Sequence, residues 1–222
     1  MAPPSCTRSN TAHASDRRSK ASAWRASALT GPPARGRLVV TDVEPPAALG
    51  LPRLLPWRGD EASTTVLRGA AATPSRVHAA LVDAGFVELH AHGQIDAAVS
   101  DVAHLVLSPE PDGRYALTAA ALRQRPLRGR PIVILAACRA GAPGAYSHVA
   151  WGLPTALVAA GARAVIASRD PIADADAGAF FDDVRVRIAA GSPPAVALRD
   201  ARAGWRQAHP DAAWVGGLMV FQ

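Results

Sequence analysis

The chain has 222 residues, of which 49% are hydrophobic, and it carries a formal net charge of +6 at pH 7. A chain of this length can bury a core of its own, and its two cysteines, Cys6 and Cys138, are too few for a disulfide framework. These properties exclude a small disulfide-stapled secreted module and favour a reducing compartment, for which we predict the cytoplasm.

The positive charge is concentrated at the N-terminus. Residues 1–36 hold six basic side chains and one acid, whereas residues 37–222 hold 18 basic and 17 acidic side chains. We predict a disordered basic tail over 1–36, because this segment is rich in Ser, Arg and Pro and lacks apolar periodicity. The body has no excess of positive charge for nucleic-acid phosphates and no run of the roughly 18–20 apolar residues that a membrane span needs. We therefore expect neither a nucleic-acid nor a membrane partner.

From residue 37 onward, short β-branched runs alternate with helical periodicities, which predicts one domain over 37–222. Pro74 after Thr73 predicts the start of a helix that Gly85 ends, and Pro154 predicts an irregularity in a later helix. The predicted strands are 37–43, 64–69, 86–92, 104–109, 114–118, 131–137, 163–168 and 217–222, and the predicted helices are 74–85, 119–124, 148–162, 175–190 and 194–208. Strands separated by helices imply an α/β fold with a mostly parallel sheet and helices on both faces.

Two reactive side chains are predicted at the carboxyl ends of strands, where open α/β sheets bind their ligands. His92 and Gly93 follow one apolar run, and Cys138 follows the most continuously apolar run of the chain, "PIVILAA". An imidazole beside a thiol lowers the thiol pKa, and the backbone N–H groups of Gly93 and Cys138 could form an oxyanion hole. Taken alone, Cys138 also fits a small buried apolar residue, and His92 fits a hydrogen-bonded histidine at a strand end.

The order of several segments resembles the CHAT family, caspase-like cysteine peptidases related to caspases and separases. These segments are "VELHAHG", "LVLSPEPDGRYALTAAAL", "PIVILAACRAG", "GLPTALVAAGARAVIAS" and "ALRDARAGWRQAHPDAAWVGGLMVFQ". The resemblance implies a three-layer caspase-like fold with a six-stranded sheet, peptide-bond cleavage, His92 as proton carrier and Cys138 as nucleophile. It implies no cofactor, and it implies a protein or peptide substrate and a regulatory protein partner.

The segment after the fifth strand differs from the leucine-tryptophan-proline run of that family. Here it reads Ser168-Arg169-Asp170-Pro171. The resemblance places this segment beside the pocket for the residue that precedes the scissile bond, so Asp170 would pair with a basic residue and Arg169 with an acidic one. Successive side chains of an extended segment point to opposite sides, so only one can face the pocket, and we favour Asp170.

Other clusters have simpler interpretations. His90 and His92 lack a third ligand at metal-binding spacing, so we predict no metal site. Asp174 is expected at the start of a helix, and the nearby Asp176, Asp182 and Asp183 are expected on the solvent-exposed face of that helix. The sequence therefore predicts a bacterial cysteine endopeptidase with a His/Cys dyad; the alternative is a catalytically silent CHAT-like protein-interaction module.

Overall fold

The computed structural model of the protein describes residues 36–59, 61–96, 102–137 and 152–222. The strands of these ranges are β1 (Arg37–Thr41), β2 (Thr64–Arg68), β3 (Phe86–His90), β4 (His92–Asp96), β5 (Val102–Val106), β6 (Ala116–Thr118), β7 (Ile132–Ala136), β8 (Ala164–Ser168) and β9 (Leu218–Phe221). The helices are α1 (Pro74–Leu81), α2 (Ala119–Arg123), α3 (Leu153–Ala159), α4 (Asp174–Ala189) and α5 (Pro194–Ala208), with short 3₁₀ turns at Ala47–Leu49, Gly69–Ala71 and Ala213–Gly217.

The main sheet of the described ranges has six strands in the order β2-β1-β3-β7-β8-β9. The first five are parallel, and β9 alone runs antiparallel to its neighbour β8. β7 lies in the middle, and all five of its residues are buried, as expected for a strand covered on both faces. The predicted mostly parallel six-stranded sheet is confirmed.

Helices cover both faces of this sheet, because alternate residues of each central strand are apolar on opposite sides. On one face, Leu135 of β7 packs in a cluster with residues of α1, α2 and α3. On the other face, Ile134 packs with Phe180 and Phe181 of α4 and with residues of α5. The molecule thus has the predicted three layers, helix on sheet on helix.

The predicted strand over 86–92 is wrong at its end. The main-sheet strand β3 stops at His90, and the chain continues as β4, which pairs antiparallel with β5 while β5 pairs with β6. The predicted hairpin partners 104–109 and 114–118 correspond to β5 and β6, with β5 shifted towards the N-terminus. The alternation of residues 86–92 runs on without a break, so the pattern alone could not show that the partner strand changes after Ala91.

Proline placement explains two helix starts. Pro74 and Pro154 each occupy one of the first two helical positions, where a missing N–H breaks no intrahelical hydrogen bond. The irregularity predicted at Pro154 is therefore the first turn of α3. Residues 148–151 of that predicted helix lie outside the described residues, and so do residues 1–35 of the predicted tail. No helix within the described ranges is both long and apolar enough to span a bilayer.

Candidate active site

The central strands β3 and β7 end together at the carboxyl edge of the main sheet. Their register pairs His90 with Ala136, and the two strands are aligned with an offset of 46 residues over their whole length. Ala91 follows β3 and Ala137 follows β7, and both are buried. The same offset separates His92 from Cys138, and Cys138 itself lies outside the described residues.

His92, the first residue of β4, is half-buried at this edge and makes one direct contact with a backbone carbonyl. Its Nε2 lies 2.7 Å from the carbonyl oxygen of Pro52. A carbonyl can only accept, so Nε2 carries a proton and donates to it, and in the neutral ring the lone pair is then on Nδ1. The Pro52 carbonyl therefore fixes both the tautomer and the direction of the imidazole.

The loop that supplies this carbonyl is tied to the sheet. Residues 51–57, which we call the rim loop, follow β1, and the backbone N–H of Trp57 donates to Thr41 Oγ1 at 2.9 Å. The indole of Trp57 is buried, and the Arg37 guanidinium lies 4.9 Å from the ring centre. Gly59 packs so closely on this indole that a Cβ there would overlap the ring.

A row of small and polar side chains lies one residue below the edge, on the α4 face of the sheet. The strand registers place His90, Ala136 and Ser168 side by side on β3, β7 and β8, and Thr41 of β1 is also buried there.

Glu88 forms a buried ionic cluster beneath this row. Its side chain is 1% exposed, and Oε1 lies 2.6 Å from Arg37 Nη2 and 3.4 Å from Arg185 Nε, while Oε2 lies 3.4 Å from His90 Nε2. Burial raises the pKa of the Glu88 carboxyl, but hydrogen bonds and charges from His90 and Arg37 outweigh this and hold the pKa below its usual value. Glu88 is therefore ionised at neutral pH.

The two histidines thus have separate partners. His90 faces Glu88, and His92 faces Pro52. No group of three or more metal-ligating side chains occurs within the described parts of the chain.

Arg169 and Asp170 lie directly after β8, at the same edge of the sheet. The Ser168 hydroxyl donates to the Asp170 carbonyl at 2.9 Å and accepts from the Asp170 N–H at 3.1 Å, and the Arg169 N–H donates to the Gly217 carbonyl at 3.1 Å. The Asp170 carboxylate packs against Gly217 so tightly that a Cβ at 217 would overlap it. Both Arg169 and Asp170 are exposed, so each remains accessible to a ligand.

Sequence reasoning missed the contribution of Pro52. The group that contacts His92 is a backbone carbonyl, which every residue possesses, and it lies 40 residues away along the chain. No residue type or spacing in the sequence signals such a contact. Gly93 is the second residue of β4 and is paired with Leu105 of β5, and its role as an oxyanion donor stays a prediction.

A family model described as the CHAT domain matches residues 4–219. The chain belongs to the CHAT family. The match begins within the segment that we predicted to be a tail. No curated protein shows significant sequence similarity to the chain.

The CHAT chain is also similar to solved structures. One is the complex of the pro- and mature domains of RgpB from Porphyromonas gingivalis, at 12% identity and a TM-score of 0.58, covering 85% of this chain and 47% of that one. Another is the Arg-specific cysteine proteinase gingipain R, at 14% identity and a TM-score of 0.55, covering 85% of this chain and 46% of that one. This CHAT domain therefore has the fold of caspase-like cysteine peptidases and spans a little under half the length of these two relatives.

Proposed function

We propose that this CHAT domain is a cysteine endopeptidase in which Cys138 is the nucleophile and His92 carries the proton. The observation that carries the proposal is the 2.7 Å contact between His92 Nε2 and the Pro52 carbonyl at the carboxyl edge of the sheet. A nucleophile, a base and a third group that orients the base make up the usual arrangement of covalent catalysis. The Pro52 carbonyl supplies the third group.

The register of β3 and β7 supports the pairing of His92 with Cys138. The strands β3 and β7 lie side by side, separated by about 4.8 Å, and each ends two residues before His92 or Cys138. Because Nε2 is engaged by Pro52, Nδ1 is the nitrogen left to accept the thiol proton. The resulting thiolate would be stabilised by the neighbouring imidazolium.

The reaction would follow in two steps. The thiolate sulfur bonds to the peptide carbonyl carbon, the N–H groups of Gly93 and Cys138 stabilise the oxyanion, and the C–N bond breaks as His92 gives its proton to the leaving amine. Water then attacks the thioester and loses its proton to His92, and the sulfur leaves as thiolate. Only side chains and water take part, so the scheme needs no cofactor.

For the residue before the scissile bond, we propose a preference for a basic side chain. Asp170 is exposed directly after the carboxyl end of β8, at the same edge of the main sheet as His92. Arg169 is the only basic side chain among residues 168–174. One of the structurally similar proteins is named as an Arg-specific cysteine proteinase, which agrees with this preference.

Labelling of Cys138 by a peptide-based electrophile ending in Arg tests the proposal. We expect modification of Cys138 in the wild type and a loss of roughly 100-fold or more in labelling rate in His92→Ala. His78→Ala, in α1, is the matched histidine control and should label like the wild type. Equal labelling of the wild type and His92→Ala would contradict the dyad and favour a catalytically silent interaction module.

A further inference from the structure

The position of the Pro52 carbonyl depends on how the rim loop, residues 51–57, is held. Pro52 itself is exposed, so packing of its own side chain does not fix it. Leu55, three residues later, is 58% exposed and does not anchor the loop by burial either. The carbonyl that orients His92 must therefore be held through contacts of neighbouring residues in the loop.

One such contact reaches α4. The backbone N–H of Leu55 donates to Asp174 Oδ2 at 2.8 Å. Asp174 is the first residue of α4, and that helix is fixed to the sheet by the buried Phe180 and Phe181. A bond from a backbone N–H to a carboxylate is among the stronger hydrogen bonds, so it ties the rim loop to a rigid element.

The second contact lies at the end of the loop. The Trp57 indole is 7% exposed and packs on the Arg37 guanidinium, whose Nη2 is paired with the buried Glu88. The Trp57 N–H also donates to Thr41 of β1. Trp57 therefore anchors the loop to the sheet itself.

A third contact is weaker. Arg53 Nη2 lies 2.8 Å from Glu44 Oε1, but these side chains are 60% and 43% exposed. Exposed ion pairs contribute little because water screens the charges and two long side chains lose freedom. The Leu55–Asp174 contact is exposed as well, but it orders only one short side chain against a backbone N–H, and Trp57 is buried, so these two are the stronger anchors on the C-terminal side of Pro52.

We infer that Asp174 and Trp57 are positioning residues that hold the Pro52 carbonyl against His92. The inference rests on the proposed function for its catalytic consequence. When either anchor is lost, the rim loop relaxes, the carbonyl moves away from Nε2, and the imidazole is no longer restricted to the tautomer with Nδ1 free. A misplacement of about 1 Å in such a group costs roughly 100-fold in rate.

Four variants separate positioning from folding. Asp174→Ala and Trp57→Ala remove the anchors, whereas Asp174→Asn keeps a carbonyl oxygen that can accept from Leu55, and Trp57→Phe keeps a ring that can stack on Arg37. Asp176→Ala, in the same first turn of α4, is the matched control. If Trp57→Ala unfolds, Asp174→Ala still tests the inference, because Asp174 is exposed and its replacement leaves no cavity.

The first measurement is catalysis on a fluorogenic peptide ending in Arg. We expect kcat to fall roughly 10- to 100-fold in Asp174→Ala and Trp57→Ala with KM within about threefold. Asp174→Asn, Trp57→Phe and Asp176→Ala should stay within a few fold of the wild type. A kcat for Asp174→Ala equal to or above that of the wild type would overturn the inference.

The second measurement does not depend on activity. In the wild type, the Nε2 proton of His92, held by Pro52, should exchange slowly and give a resolved downfield NMR signal, and this signal should be lost in Asp174→Ala and retained in Asp174→Asn. A signal that persists in Asp174→Ala overturns the inference. If the wild type cleaves no peptide but the signal behaves as expected, the positioning of His92 stands and the proposed peptidase function fails.

Discussion

Arg37 and Glu88 are joined by a 2.6 Å ion pair although 51 residues separate them along the chain. The Glu88 side chain is 1% exposed and the Arg37 side chain 17%. Glu88 Oε1 also lies 3.4 Å from Arg185 Nε, and Arg185 pairs with Asp182 of its own helix as well. The buried Glu88 carboxylate thereby links β1, β3 and α4.

Replacement of Glu88 by Ala should lower the free energy of unfolding by about 3–5 kcal/mol, because it removes a buried carboxylate and leaves the Arg37 guanidinium without its ion-pair partner, while Arg185 keeps only Asp182. Urea unfolding measures the change. Glu61→Ala, which removes the exposed partner of Arg68, is the matched control and should change the free energy by about 0.5 kcal/mol or less. Equal stabilities of Glu88→Ala and Glu61→Ala would show that the buried cluster contributes nothing.

The lowered pKa of Glu88 also predicts an acid dependence of stability. Since its folded pKa lies below the unfolded value of about 4.3, its contribution is present above that value and is lost as the pH falls through the folded pKa. The advantage of the wild type over Glu88→Gln should therefore be larger at pH 5 than at pH 3. Unfolding free energies of both proteins between pH 7 and pH 3 measure this, and a difference that does not change with pH would refute it.

A pocket formed by Asp170 and a pocket formed by Arg169 would select opposite charges on the substrate residue before the scissile bond. If Asp170 binds a basic substrate residue, Asp170→Asn should lower kcat/KM for peptides ending in Arg by roughly 10- to 100-fold, because a charge-assisted pair becomes a neutral hydrogen bond. Arg169→Ala should leave that value nearly unchanged. Rates on matched peptides ending in Arg and in Asp provide the measurement, and a preference for Asp that Arg169→Ala abolishes would assign the pocket to Arg169.

Gly217 offers a way to move Asp170 without replacing it. A Cβ at this position would overlap the Asp170 carboxylate, so Gly217→Ala should displace that side chain and reduce kcat/KM for Arg-ended peptides about tenfold. Gly178→Ala, whose Cβ would meet nothing within 4 Å, is the control and should leave kcat/KM unchanged. In an Asp170→Asn background the effect of Gly217→Ala should largely disappear, since the two substitutions act on the same contact.

Runs such as 131–137 and 164–167 are apolar throughout, and breakers or helical periods separate them, so the number, order and layering of these elements follow from local pattern. The spacing of 46 residues between His92 and Cys138 could also be read from the sequence. The structure shows that the same number is the register offset of β3 and β7.

Contacts between distant backbone groups could not be predicted. Nothing in the residue types around Pro52 distinguishes its carbonyl from any other, and the break after Ala91 lies within an unbroken alternation. Glu88 is one of the polar positions of that alternation, and its partner Arg37 lies at the start of β1. Such contacts depend on which strands become neighbours, which is a property of the whole sheet and not of a short segment.

The small sheet of β4, β5 and β6, together with α2, lies between β3 and β7 in the chain but outside their pairing. The alignment of β3 and β7 is set by the hydrogen bonds between them, so it does not depend on the length of the polypeptide that connects them. Lengthening or shortening that excursion costs little free energy, because loop closure depends only weakly on length. Homologues can therefore carry insertions there, and the separation of histidine and cysteine along the sequence can drift while their places on the sheet stay the same.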